Sequence, residues 1–153
     1  MECKDFRYLI RLVPVYEKEI RKLKRIKDES LEYLETRQCG LVQRFDMNGN
    51  SGTHNGINHI LWIKKKDDVK RNYDKKIAFF ENNIQEIYRV INLLDPTTQE
   101  MVKDLYFYGK SGEDTAYKFG YSKQGLYDVV NRELEKALQL HEECEIDRMN
   151  GEE

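Results

Sequence analysis

The stretch Gly112–Val130, GEDTAYKFGYSKQGLYDVV, decides the reading of the fold. It has the layout of two helices joined by a tight turn, with small residues where such a pair needs them. Ala116 stands where the helices cross closely, and a larger side chain would push them apart. Gly120 ends the first helix, where the chain must reverse through a left-handed conformation that costs glycine almost nothing. Thr115, Phe119, Tyr121, Leu126 and Val129 take the positions that must point inward if the two helices share a core. Ser122 follows the turn as an N-cap, its hydroxyl able to accept a bond from an orphan amide. The pattern predicts a helix-turn-helix, a device for placing its second helix in a DNA major groove.

Upstream, Leu93-Leu94-Asp95-Pro96 precedes TTQEMVKDLYFYGKS, in which Met101, Val102, Leu105, Tyr106 and Tyr108 recur at helical spacing. Pro96 suits a first helical turn and Asp95 can cap it, while Gly109 ends this helix and Ser111 opens the next. In this order of elements the run from Ile91 to Leu140 resembles the fourth region of bacterial sigma factors. With the long N-terminal half added, the chain resembles the small phage regulators of the ArpU/RinA type, activators of late phage genes in Gram-positive hosts. The motif-bearing part covers about a third of the chain, and the N-terminal likeness is one of layout. The resemblance implies a sequence-specific transcriptional regulator in the cytoplasm of a bacterial host. One departure stands out: sigma-like motifs usually carry Glu-Ile-Ala where this chain has Asp114-Thr115-Ala116, so a threonine replaces a hydrophobic anchor.

Composition sets the background. The 153 residues suffice for one domain with a core, or a small domain plus a helical hairpin. Charged residues make up 35% yet the net charge is −2, so bulk electrostatics does not argue for nucleic acid. Cys3, Cys39 and Cys144 form no CxxC pair, which suits reduced thiols. No apolar run reaches the length of a membrane span, and no signal-peptide layout opens the chain.

The expected fold class is all-α: an N-terminal long, coiled-coil-like helical hairpin with a C-terminal helix-turn-helix domain. Boundaries are expected at 1–92 for the hairpin and oligomerisation region, 93–141 for the sigma-like unit and 142–153 for a frayed acidic tail. The first helix runs from Asp5 to about Gln38, interrupted at Pro14, with Tyr16, Ile20, Leu23, Ile26, Leu31 and Leu34 as its stripe. Residues 40–58, rich in Gly and Asn, read as a mobile loop. A second long helix begins near Asp67 or Asp68. Its seam of Ile77, Phe80, Ile84, Ile87, Ile91 and Leu94 is wider than a short helix with a proline can cover, which predicts a homo-oligomer.

On the second helix of the motif, Lys123, Gln124, Tyr127, Asp128 and Asn131 fall opposite the core positions Leu126, Val129, Val130 and Leu134. Gln and Asn suit adenine edges, Lys reaches guanine and Tyr touches a thymine methyl or a phosphate. The expected DNA-contacting set is Lys118, Ser122, Lys123, Gln124, Tyr127, Asn131 and Arg132, with Lys118 and Arg132 on phosphates. Gly125 inside this helix is either a close approach to a backbone or a tolerated defect. From Asp95 to His141 six basic residues stand against eight acidic ones, which weakens phosphate attraction. The basic clusters 18–27 and 64–76 are candidate phosphate contacts, or solvated helix faces. The acidic balance leaves room for a protein partner such as RNA polymerase.

No catalytic constellation is present: no phosphate-cradling glycine loop and no nucleophile elbow, so an enzyme is not expected. His54, His59 and His141 sit beside no spaced cysteine or carboxylate set, and a metal site from Cys39, His54 and His59 lacks a paired-ligand motif. Asp46-x-Asn48-x-Asn50 has the opening of a calcium loop without its glycine and closing glutamate in register. Neither metal nor cofactor is expected. Ile60, Leu61, Trp62 and Ile63 read as a core or interface patch. Two other classes share the motif: a DNA-packaging protein of the small-terminase kind, and a protein-interaction module that does not bind DNA.

Overall fold

The computed structural model describes residues 1–48 and 54–151, and side chains outside 37–58. The described chain is all-α, with no strand: α1 Cys3–Asn48, α2 His54–Ile91, α3 Pro96–Val102, α4 Gly112–Phe119 and α5 Lys123–Gly151. Lys103–Phe107 continues α3 as a π-helical turn. The expected Cys39–His54–His59 set and the Asp46–Asn50 segment rest on side chains outside those described, as does the middle of the expected loop.

The helices differ in extent and continuity from the sequence expectation. The first helix is not interrupted at Pro14 but passes through it. A proline there removes one main-chain bond, a cost of about 3 kcal/mol, but Phe6, Ile10 and Val13 on the same helix are all 2% exposed or less. Burying three such side chains contributes about 1.5–3 kcal/mol each, which outweighs the lost bond. The second helix starts at His54 rather than Asp67 or Asp68, and α1 reaches Asn48, so helix occupies much of the segment expected as loop. In the described first turns of α2, Trp62 donates its indole N–H to the Leu34 carbonyl at 3.0 Å and stacks with His59. Within the segment expected as an acidic tail, α5 continues to Gly151.

The chain divides into two compact units whose limits differ from 1–92, 93–141 and 142–153. One unit, Glu17–Glu81, is an antiparallel helical pair. Its cross-helix ion pairs fix that direction: Lys24 with Glu81 at 3.4 Å, Lys27 with Asp74 at 2.6 Å and Glu35 with Lys66 at 2.5 Å. Among its described side chains, Ile20, Leu34 and Ile77 are the buried apolar ones.

The other unit joins Met1–Tyr16 to Asn82–Glu153. Its core gathers Phe6, Ile10 and Val13 of α1, Ile87, Val90 and Ile91 of α2, Met101 and Val102 of α3, and Leu126, Val130 and Leu134 of α5. Every residue of the expected seam is buried or half-buried, so the apolar surface left open lies elsewhere. On α2 the exposed apolar side chains include Ile60 at 65%, Leu61 at 58% and Phe79 at 62%.

Candidate nucleic-acid interface

Local chemistry explains how α3, α4 and α5 are set. Pro96 opens α3, and Asp95 caps it by accepting bonds from the Thr98 amide at 3.2 Å and the Thr98 hydroxyl at 2.5 Å. Ser111 caps α4 by accepting from the Asp114 amide at 3.0 Å, as expected. At the other end of α4, Gly120 adopts φ 75°, and the Tyr121 amide bonds back to the Ala116 carbonyl at 2.9 Å. This closes the helix with the left-handed turn its glycine permits. Ser122 then accepts from the Gly125 amide at 3.1 Å and starts α5. A Cβ on Gly125 would stand 3.0 Å from that hydroxyl, so the close approach is to the cap of its own helix.

Within this frame Thr115 and Ala116 are buried where the sequence places them. The buried Thr115 hydroxyl has no partner. Phe119 and Val129 are half-buried, whereas Tyr121 is 43% exposed rather than inward. Tyr108 also leaves the core. The π turn, closed by the Tyr108 amide on the Lys103 carbonyl at 3.0 Å, shifts the register that an α-helix would have kept.

The same turn carries Asp104 inward to 2% exposure. Lys118 meets it at 2.8 Å and Lys110 at 3.1 Å, and Lys118 also reaches Glu100 at 2.8 Å. Burial opposes the Asp104 charge, but bonds from Lys118 and Lys110 outweigh it and hold the carboxyl below the usual range. Bonds to Asp104 and then Glu100 push the Lys118 ammonium up. Lys118 therefore ties α4 to the π turn, a role no linear motif announces.

The seven expected contact residues have different surroundings. Lys123 and Gln124 are exposed on the first turn of α5, with Lys123 only 3.5 Å from Glu113. Arg132 is exposed and lies 3.3 Å from Glu133. Ser122 is engaged as the cap. Tyr127 is half-buried over Gly112, where an added Cβ would stand 2.7 Å from its hydroxyl. Asn131 is half-buried, its carbonyl 4.0 Å from the Cys3 thiol. The open stripe is thus Gln124, Asp128 and Arg132, one helical turn apart, with Lys123 at its head. Tyr117, 90% exposed on α4, was not singled out by sequence, because its spacing does not separate it from inward aromatics.

The two basic clusters are partly consumed by structure. Lys24, Lys27 and Lys66 make the cross-helix pairs above, while Lys22 and Arg71 lie near Glu19 and Asp68 on their own helices. Burial pushes the Cys3 thiol up, and Cys144 is exposed. His141 departs from its expected isolation, since α2 and α5 bring Glu86 and Glu145 to it. No helix of the described residues is long and apolar enough to cross a membrane.

Compared with protein-family models, curated proteins and solved structures, the chain gives no match.

Proposed function

We propose that the chain is a sequence-specific DNA-binding transcriptional regulator that uses α4, the Gly120–Ser122 turn and α5 as a helix-turn-helix. The observation that carries this reading is the capped start of α5, with Lys123, Gln124, Asp128 and Arg132 exposed along one stripe. Such a helix end is shaped for a major groove, and Gln and Lys are side chains that read base edges there. Base contact is assigned to Lys123 and Gln124 and phosphate contact to Arg132. The assignment to phage or prophage late-gene activation rests on the resemblance of residues 91–140 to sigma factors and of the whole layout to ArpU/RinA-type regulators. Self-association through the exposed Ile60, Leu61 and Phe79 would supply the second half-site that weak phosphate attraction calls for.

A genome-wide DNA capture with the purified chain tests the reading, and one enriched promoter is the expected outcome. On that site Gln124→Ala costs about 1–3 kcal/mol and little on random DNA, whereas Arg132→Ala weakens every sequence and lowers the salt slope. Equal loss on all sequences for both variants would remove α5 from base reading.

One observation favours a second reading, a protein-interaction module. Lys118 is held by Asp104 and Glu100 rather than left open, and Tyr117 and Tyr121 are exposed. Salt-insensitive capture of a protein such as RNA polymerase, without DNA retention, would decide for it.

A further inference from the structure

His141 and Glu145 lie four residues apart, on one face of α5. His141 Nε2 stands 3.6 Å from Glu86 Oε2 on α2 and 3.8 Å from Glu145 Oε1. One donor atom from each of the three side chains falls within 4.8 Å of the others. An ion held by nitrogen and oxygen at about 2.0–2.2 Å in a tetrahedral shell keeps its donors about 3.3–3.6 Å apart. The two His141 distances lie close to that spacing, and the third pair is within 4.8 Å.

We propose that Glu86, His141 and Glu145 bind one divalent first-row transition ion, with Zn²⁺ as the reference case. The donor chemistry selects the class. An imidazole nitrogen favours zinc and its neighbours over calcium or magnesium, and two carboxylates balance the double positive charge. Arg89 bonds the Glu86 Oε1 atom, which leaves Oε2 turned to His141, the kind of outer contact that orients a ligand. Its positive charge opposes the cation, so this site binds more weakly than a closed four-ligand site.

The His141 side chain is 20% exposed, while those of Glu86 and Glu145 are 49% and 53% exposed, so the ion reaches the site directly from solvent. Three protein ligands leave a fourth position open. The set stands at the edge of a cleft of about 380 Å³ whose floor is formed by Phe6, Leu9, Ile87, Val90 and Leu138. A bound ion fastens the outer turns of α5, beyond the buried Leu138, to α2.

The test uses the metal-stripped full chain titrated with Zn²⁺ by calorimetry, with thermal unfolding followed in parallel. One ion per chain and a Zn²⁺-dependent rise in Tm are expected. His141→Ala and Glu145→Gln should each weaken binding at least about tenfold and remove the rise in Tm. Both positions lie outside the apolar core, and circular dichroism verifies that each variant keeps its helicity. Cys144→Ser, next to Glu145 and exposed, and His59→Ala should leave binding unchanged. Co²⁺ should give a ligand-field spectrum without a thiolate charge-transfer band. Absence of stoichiometric binding, binding unaffected by His141→Ala, or binding lost in Cys144→Ser would each overturn the proposal.

Discussion

Excising residues 93–141, the segment that the sequence marks as a separate unit, is expected to yield a fragment that does not fold cooperatively. Six core side chains of its unit lie outside those limits: Phe6, Ile10 and Val13 on α1, and Ile87, Val90 and Ile91 on α2. All are 4% exposed or less. Full burial of one such side chain contributes about 1.5–3 kcal/mol. Six together contribute on the order of 10 kcal/mol, even after a discount for residual burial in the unfolded chain. A domain of this size has a net stability of about 5–15 kcal/mol, so the excision removes most or all of it. Far-ultraviolet circular dichroism would then show residual helix that melts gradually, and near-ultraviolet signals would be weak. Joining 1–16 to 82–151 through a flexible linker should restore a sharp transition, because these segments form the unit. In the full chain Ile10→Ala, at a site of 0% exposure, should cost about 3 kcal/mol in urea unfolding. A 93–141 fragment melting cooperatively near the Tm of the full chain, or Ile10→Ala within about 0.5 kcal/mol of wild type, would refute the reasoning.

Two further substitutions probe the α3–α4 region. Thr115→Val keeps the buried shape and deletes a hydroxyl that has no partner, so it should stabilise by about 1 kcal/mol in denaturant unfolding; destabilisation would mean that the hydroxyl is bonded. Asp104→Asn removes a buried carboxylate that accepts from two lysines and should cost about 1–2 kcal/mol at neutral pH, discounted because both lysines are partly exposed. Since the folded carboxyl titrates below its unfolded value, this stability is fully present above about pH 4 and fades as pH falls through the folded value. The gap between wild type and Asp104→Asn should accordingly narrow under acid, and a constant gap from neutral pH to pH 2 would contradict the ion network.

Much of the local structure follows from the sequence because it depends on neighbours in the chain. Asp95, Ser111 and Ser122 cap helices through bonds three residues away, and Gly120 takes the left-handed turn for want of a Cβ. The buried seam of α2 and the inward Leu126, Val130 and Leu134 of α5 follow from helical spacing. These short-range and periodic signals also determine the all-α class. Other features come from contacts between residues far apart in sequence, which no local pattern encodes. Pro14 reads as a break until burial of Phe6, Ile10 and Val13 outweighs the missing bond. Tyr108 leaves the core and Asp104 is buried where one π turn shifts the register, and Lys118 then becomes a tie to Asp104 rather than an open charge. Tyr127 and Asn131 share the polar stripe on a helical wheel. Only the packing of Gly112 and the approach of Cys3 cover them, leaving Lys123, Gln124 and Arg132 open. His141 likewise looks solitary in the linear chain, and only the folding of α2 beside α5 brings Glu86 to it. Backbone capping and helical period are thus written within a few residues, whereas burial and charge pairing are settled by which distant surfaces meet.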